Sequence, residues 1–255
     1  MTRLAKVTLG TLCIVSLALL PLASQDAGKR PRILIVTGSD VGAHDWRATT
    51  PVTRKILDEA KRFEVFVAED ASILESSTLG KYDLLVLNYR NDPNKKEENL
   101  SEAARKNLTD FVKSGKGLAA VHFAVNAFQD WPEYSKLVGR IWTGKKAGAD
   151  KPSGHGPRGP FKVKVTKPDS PITQGVGEFE TDDELYASLA GDAPIDVLAT
   201  AYSADYSKKD EPMAWTLRYG EGRVFVLALG HDARARENPS FQKLLVQGCA
   251  WAASR

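Results

Sequence analysis

Cysteine is scarce in this chain of 255 residues, which has only Cys13 and Cys249. Cys13 falls in an apolar N-terminal stretch, so the remainder carries one thiol and cannot close an internal disulfide. A surplus of charge of one sign is also lacking. The 35 basic and 32 acidic residues leave a formal charge of +3, which excludes a polybasic surface for nucleic acid. There is no Gly-x-Ser-x-Gly elbow, no P-loop and no His-Glu-x-x-His. Their absence argues against a serine hydrolase built on that elbow, an NTPase and a helix-borne zinc protease. No internal repeat and no long linker divides the chain. What remains is 42% hydrophobic and 26% charged, the composition of an ordinary globular protein with one large core.

The N-terminus is set apart. Arg3 and Lys6 precede an almost wholly apolar stretch from Val7 to Leu20, and Pro21-Leu22-Ala23-Ser24 supplies small residues. This is the layout of a secretory signal peptide over residues 1–24, cleaved near Ser24 or Gln25. The competing reading is an uncleaved anchor, at the lower length limit for a span. Removing Arg3 and Lys6 lowers the formal charge from +3 to +1. The expectation is an exported protein, periplasmic or extracellular, with a short linker at 25–31 and a single domain over 32–255.

Within that domain strand-like and helix-like segments alternate. Arg32 to Gly38 is a continuous apolar run, as a strand buried on both faces requires. Thr49 or Thr50 can cap a helix with Pro51 in its first turn. Phe63–Ala68, Tyr82–Asn88 and Gly117–His122 read as further strands. Between the last two, Ser101 caps a helix that stops at Ser114-Gly115. Residues 144–160, rich in Gly and Pro, read as a loop. Phe161–Val165 and Asp196–Ala201 are strands, and Ala214–Tyr219 with Arg223–Leu229 form a hairpin. Asn238 caps a last helix whose apolar face includes Cys249, a core residue rather than a nucleophile. The pattern predicts a three-layer α/β fold with a parallel centre and a C-terminal antiparallel hairpin.

Open α/β sheets bind ligands beyond the carboxyl ends of their strands. His44-Asp45-Trp46, Asn88-Tyr89-Arg90, His122 and Gly230-His231-Asp232 all fall at such ends. They hold three of only four histidines, the fourth being His155 in the loop. A lone histidine after a strand is usually structural, but three at one edge can ligate a metal or move a proton near neutral pH. The cluster Thr181-Asp182-Asp183-Glu184 by itself reads as solvated surface.

These motifs together resemble the ThuA-like (trehalose-utilisation) family over about residues 32–253. The resemblance is carried by Pro212-Met213-Ala214-Trp215, Tyr219-Gly220-Glu221-Gly222-Arg223-Val224-Phe225 and Leu229-Gly230-His231-Asp232. Asp183-Glu184-Leu185-Tyr186 matches the family's acidic motif and His44-Asp45-Trp46 its first loop. One departure is Ser170-Pro171, where the family often has His-Pro. The resemblance implies the flavodoxin-like sheet of class I glutamine amidotransferases. At the strand where true amidotransferases carry their nucleophile elbow, this chain reads Ala120-Val121-His122-Phe123-Ala124, so cysteine-based glutaminase chemistry is unavailable.

The family is tied to breakdown of trehalose and related glucosides through 3-keto intermediates, beside a sugar oxidoreductase acting upstream. The resemblance therefore implies an enzyme that isomerises, eliminates or hydrolyses keto-sugars or glycosides by abstracting a proton next to a carbonyl. Glu184 or His122 would transfer the proton, with His44 and His231 stabilising the oxyanion or, with His122 and Glu184, holding a divalent metal such as zinc. Asp45, Asp232 and Arg90 would orient these groups or sugar hydroxyls, and Trp46, Tyr186 and Trp131 could stack on a sugar. The 144–160 loop, with His155 and Arg158, either closes over the cleft or is a surface excursion. The competing class is a carbohydrate-binding or scaffold protein on the same fold. Ionisable groups at the strand ends favour the enzyme.

Overall fold

In a computed structural model of the protein, residues 29–92, 94–144 and 152–254 are described. The N-terminal apolar segment, Cys13 and residues 145–151 of the glycine-rich stretch lie outside them. The chain runs β1 (Arg32–Val36), α1 (Trp46–Glu59), β2 (Glu64–Ala68), β3 (Leu84–Leu87), α2 (Glu102–Lys113), β4 (Gly117–Val121) and α3 (Pro132–Val138). It continues through β5 (Gly159–Val165), β6 (Phe179–Asp183), β7 (Asp196–Tyr202), β8 (Asp210–Tyr219), β9 (Gly222–Leu227), α4 (Ala233–Arg236) and α5 (Pro239–Ala253).

All nine strands join one mixed sheet in the order β2-β1-β3-β4-β9-β8-β7-β5-β6. The first five are mutually parallel. From β9 onward every pairing is antiparallel. Successive residues of a strand point to opposite faces, and here both faces are covered. Ile33 and Ile35 pack with Ile56 and Leu57 of α1 and Leu244, Leu245 and Cys249 of α5. Leu34 and Val36 pack on the other side with Ala104, Leu108 and Val112 of α2 and Leu137 and Val138 of α3. Two-sided burial is why β1 is apolar throughout. Each such Leu or Ile contributes roughly 1.5–3 kcal/mol. Gly248 lets α5 approach β9, since a Cβ there would lie 2.1 Å from the Phe225 ring.

Several details depart from the expectations. The antiparallel portion is not a hairpin alone but a four-strand half. It includes β6, whose sequence Phe-Glu-Thr-Asp-Asp resembles solvated surface yet pairs with β5 from Gly159↔Asp183 to Val163↔Phe179. Helix α1 begins a turn before Thr49, because the Asp45 carboxylate accepts the amides of Arg47 (2.9 Å) and Ala48 (3.2 Å). An aspartate caps better than threonine. Pro51 consequently sits inside the helix, on its exposed side, and leaves the Arg47 carbonyl without an amide four residues on. Helix α3, seven residues opened by Pro132, is too short for a readable period.

Candidate functional site

β1, β4, β9 and β6 all run in the same direction, so their carboxyl ends share one edge of the sheet. β6 is four places from β9, about 19 Å in a flat sheet at the usual strand spacing. The antiparallel half curls instead, as twisted sheets do. The Asp183 carboxylate at the end of β6 accepts the amides of Gly230 (2.6 Å) and His231 (3.0 Å), just past β9. It also accepts the amide of Glu184 at 2.8 Å, fixing that residue's backbone. Gly230 has φ +95, and a Cβ there would lie 2.5 Å from the Phe241 ring, so this turn into His231 requires glycine.

Glu184 stands at the centre. Its Oε2 lies 3.5 Å from His122 Nε2, 3.2 Å from His231 Nδ1 and 4.0 Å from His44 Nε2. Its Oε1 lies 3.2 Å from His155 Nδ1. Every histidine of the chain therefore surrounds one carboxylate. Glu184, His44 and His122 are buried, His231 is half-buried, and His155 is exposed at the rim. The His122 ring stacks on Tyr186 with centroids 4.2 Å apart, and His44 on Phe123 at 4.7 Å. The Tyr186 hydroxyl is 3.1 Å from His44 Nε2.

His122 occupies the elbow at the end of β4, with φ +44, where a non-glycine residue is strained. Its Nδ1 lies 3.0 Å from the carbonyl oxygen of Ala228. A carbonyl only accepts, so Nδ1 carries a hydrogen, and Nε2 is the ring atom that faces Glu184.

The electrostatics follow from burial. Desolvation, reinforced by repulsion from His122 and His231, pushes the His44 pKa down to about 2, so its imidazole is neutral. Burial alone would raise the Glu184 carboxyl, but its contacts with His122 and His231 outweigh it and hold the carboxylate ionised. The Glu184 contact also raises the His231 pKa.

This donor set fits a divalent cation. His122 Nε2 and His231 Nδ1 are buried and have no hydrogen-bond partner. One donor atom from each of His44, His122, His231 and Glu184 falls within 4.8 Å of the others. Ligands 2.0–2.2 Å from a tetrahedral zinc stand about 3.4 Å apart, close to the separations around Glu184 Oε2. The bond from His122 Nδ1–H to a backbone carbonyl is how metal-ligating imidazoles are usually oriented.

The remaining candidates separate. Asp45 is spent on capping α1. Asp232 caps α4 through the Ala235 amide (2.8 Å) and pairs with Arg158 (2.8 Å), which also holds Asp182 at 2.7 Å. Both carboxylates thus already carry structural bonds. The Trp46 indole donates to Asp40 (2.8 Å) beneath the Arg47 guanidinium. Tyr186 is buried between His122 and Trp142, and Trp131 packs on Tyr134, so neither offers a face to a sugar. Arg90 is half-buried near the cluster, and its charge helps lower the His44 pKa.

Three contributors were not legible as site residues. His155 read only as carried by a loop that either closes over the cleft or is a surface excursion. Trp142 is half-buried, its ring 4.9 Å from Tyr186 and 5.8 Å from His155. Arg236 is fully buried and donates to the Gly230 carbonyl (2.9 Å) and Thr53 (2.5 Å), tying the His231 turn to α1. Burial lowers its pKa to about 9.

A family model for ThuA, described as trehalose utilisation, matches residues 32–252, and the chain belongs to that family. A ThuA-like protein from Parabacteroides merdae is 27% identical with a TM-score of 0.77, over 89% of this chain and 91% of that one. A second, from Bacteroides uniformis, is 19% identical with a TM-score of 0.67, over 90% and 94%. A cytoplasmic protein from Salmonella typhimurium shares the fold at 14% identity and a TM-score of 0.61, over 87% and 99%. No curated protein matches the chain.

Proposed function

We propose that the protein is an exported carbohydrate-active enzyme that moves a proton adjacent to the carbonyl of a keto-sugar or glycoside, in isomerisation, elimination or hydrolysis. The observation that carries this reading is the convergence of all four histidines on Glu184. An amidotransferase-like sheet whose elbow presents an imidazole in place of a thiol has exchanged nucleophilic for acid–base or metal chemistry. In this reading His44, His122, His231 and Glu184 hold a divalent cation such as zinc. When bound, the cation would supply Lewis-acid polarisation of a carbonyl oxygen.

The chain's own residues then divide the work. His122 is fully buried with Nδ1 engaged, so it holds rather than transfers. His155 is exposed, its Nδ1 lying 2.7 Å from the Gly156 carbonyl oxygen and 3.2 Å from Glu184 Oε1, and its Nε2 takes the proton from carbon and returns it. The half-buried Trp142 ring beside it is the stacking surface for a sugar, the part sequence reading assigned to Trp46, Tyr186 and Trp131. A keto-sugar substrate requires an oxidoreductase acting upstream, and a cleaved leader over residues 1–24 would export this protein.

The test is proton NMR of the protein with a 3-keto-glucoside in heavy water, with and without chelator. Loss of the C2 proton signal is expected, abolished by chelator and by His155→Ala. An unchanged spectrum at high protein concentration would overturn catalysis. Ligand-induced stabilisation without turnover would leave a binding protein.

A further inference from the structure

Arg90 has no hydrogen bond, ion pair or ring contact among the described residues, although its Nε is buried from solvent. Its surroundings make that unusual. Asp130, which lines the same cavity, is already paired with Arg105. That carboxylate has a partner, and the Arg90 guanidinium has none among the described residues. A desolvated cation without a counter-charge is costly.

Arg90 lines a small cavity of about 60 Å³ with Asn91, Asn99, Asn126, Gln129 and Asp130. That is room for a carboxylate, or about two waters, but not for a sugar ring. Asn126 is 8% exposed, and its amide oxygen accepts from Gln129 while its NH2 has no partner among the described residues. Gln129 in turn reaches the Trp142 carbonyl at 3.3 Å, so the cavity adjoins the aromatic surface beside His155. A sugar stacked on Trp142 would place one substituent here.

Resting on the carbohydrate reading above, we infer that the substrate is a sugar acid whose carboxylate is held by Arg90 and Asn126. A guanidinium and an amide NH2 match a carboxylate's two oxygens, and a charge-assisted pair offsets desolvation that a neutral hydroxyl would not.

Titration calorimetry at fixed ionic strength with D-glucuronate, D-glucuronamide, D-glucose and glucose 6-phosphate tests this. Glucuronate is expected to bind about tenfold or more tightly than the amide, which has the same shape without the charge. Arg90→Met should remove that preference, while Arg90→Lys retains part of it. The Arg90 guanidinium holds no partner among the described residues, so both variants should unfold at the wild-type temperature. Equal binding of acid and amide by the wild type, or a preference that survives in Arg90→Met, overturns the inference and leaves the carbohydrate reading standing. Tighter binding of the sugar phosphate also overturns it. Binding of none of the four overturns both.

Discussion

The Asp183 carboxylate accepts the Gly230 amide at 2.6 Å although their strands, β6 and β9, are separated by three others in the sheet. This bond and its companion from His231 close the curled half of the sheet onto the parallel half. Asp183→Asn exchanges an oxygen for an NH2 that faces amide hydrogens. It should destabilise the fold by about 2 kcal/mol or more and loosen the His231 turn. Urea unfolding measures the first effect and zinc affinity the second. An unchanged midpoint would show that the closure does not depend on this carboxylate.

Zinc should bind with one equivalent and raise the unfolding free energy by about 2.7 kcal/mol at a hundredfold excess over its dissociation constant. EDTA should reverse the shift. His122→Ala and Glu184→Gln should each weaken zinc by at least about tenfold, whereas His155→Ala leaves it nearly unchanged. Equilibrium dialysis decides, and equal zinc affinity across all four proteins would refute the donor assignment.

Glu98 supplies a pH dependence remote from the histidines. Its Oε2 accepts from the Ser39 hydroxyl and the Asp92 amide (2.8 Å), and its Oε1 meets Lys95 Nζ at 3.1 Å. It thereby ties the loop after β1, which leads to His44, to the loop after β3. Burial alone would raise the carboxyl, but these hydrogen bonds outweigh it and hold its pKa below the usual value. A depressed native pKa gives stability that is present above the unfolded value, about 4.3, and is lost as pH falls through the native one. Glu98→Gln should therefore be less stable than wild type at pH 7, with the gap narrowing below about pH 4.3. Urea midpoints from pH 7 to 3 measure it. A gap that widened in acid would contradict the assignment.

Trp142→Ala tests the sugar surface. The ring is half-buried, so truncation should cost little stability while weakening a bound glycoside by about tenfold, the loss of an aromatic face. Saturation-transfer NMR reads the change. Unaltered binding would move the sugar elsewhere in the cleft.

The sequence by itself determined the parallel half of the fold. Strands buried on both faces must be apolar at every position, which makes β1 and β3 legible. The caps at Ser101 and Asn238 are local, so their residues announce them. It also marked His44, His122 and His231, because each follows a strand whose end was readable.

Only the tertiary structure decided what those residues do together. β6 has the composition of solvated surface, and its place depends on twist accumulated over four strand pairings. Glu184 reaches the histidines through that curl, and His155 through a segment with no period of its own. Asp45 and Asp232 share the neighbourhood, yet backbone amides claimed their carboxylates. Local spacing specifies elements and caps. Convergence of distant side chains follows from how strands pair and how far the sheet turns, which no short window of sequence encodes.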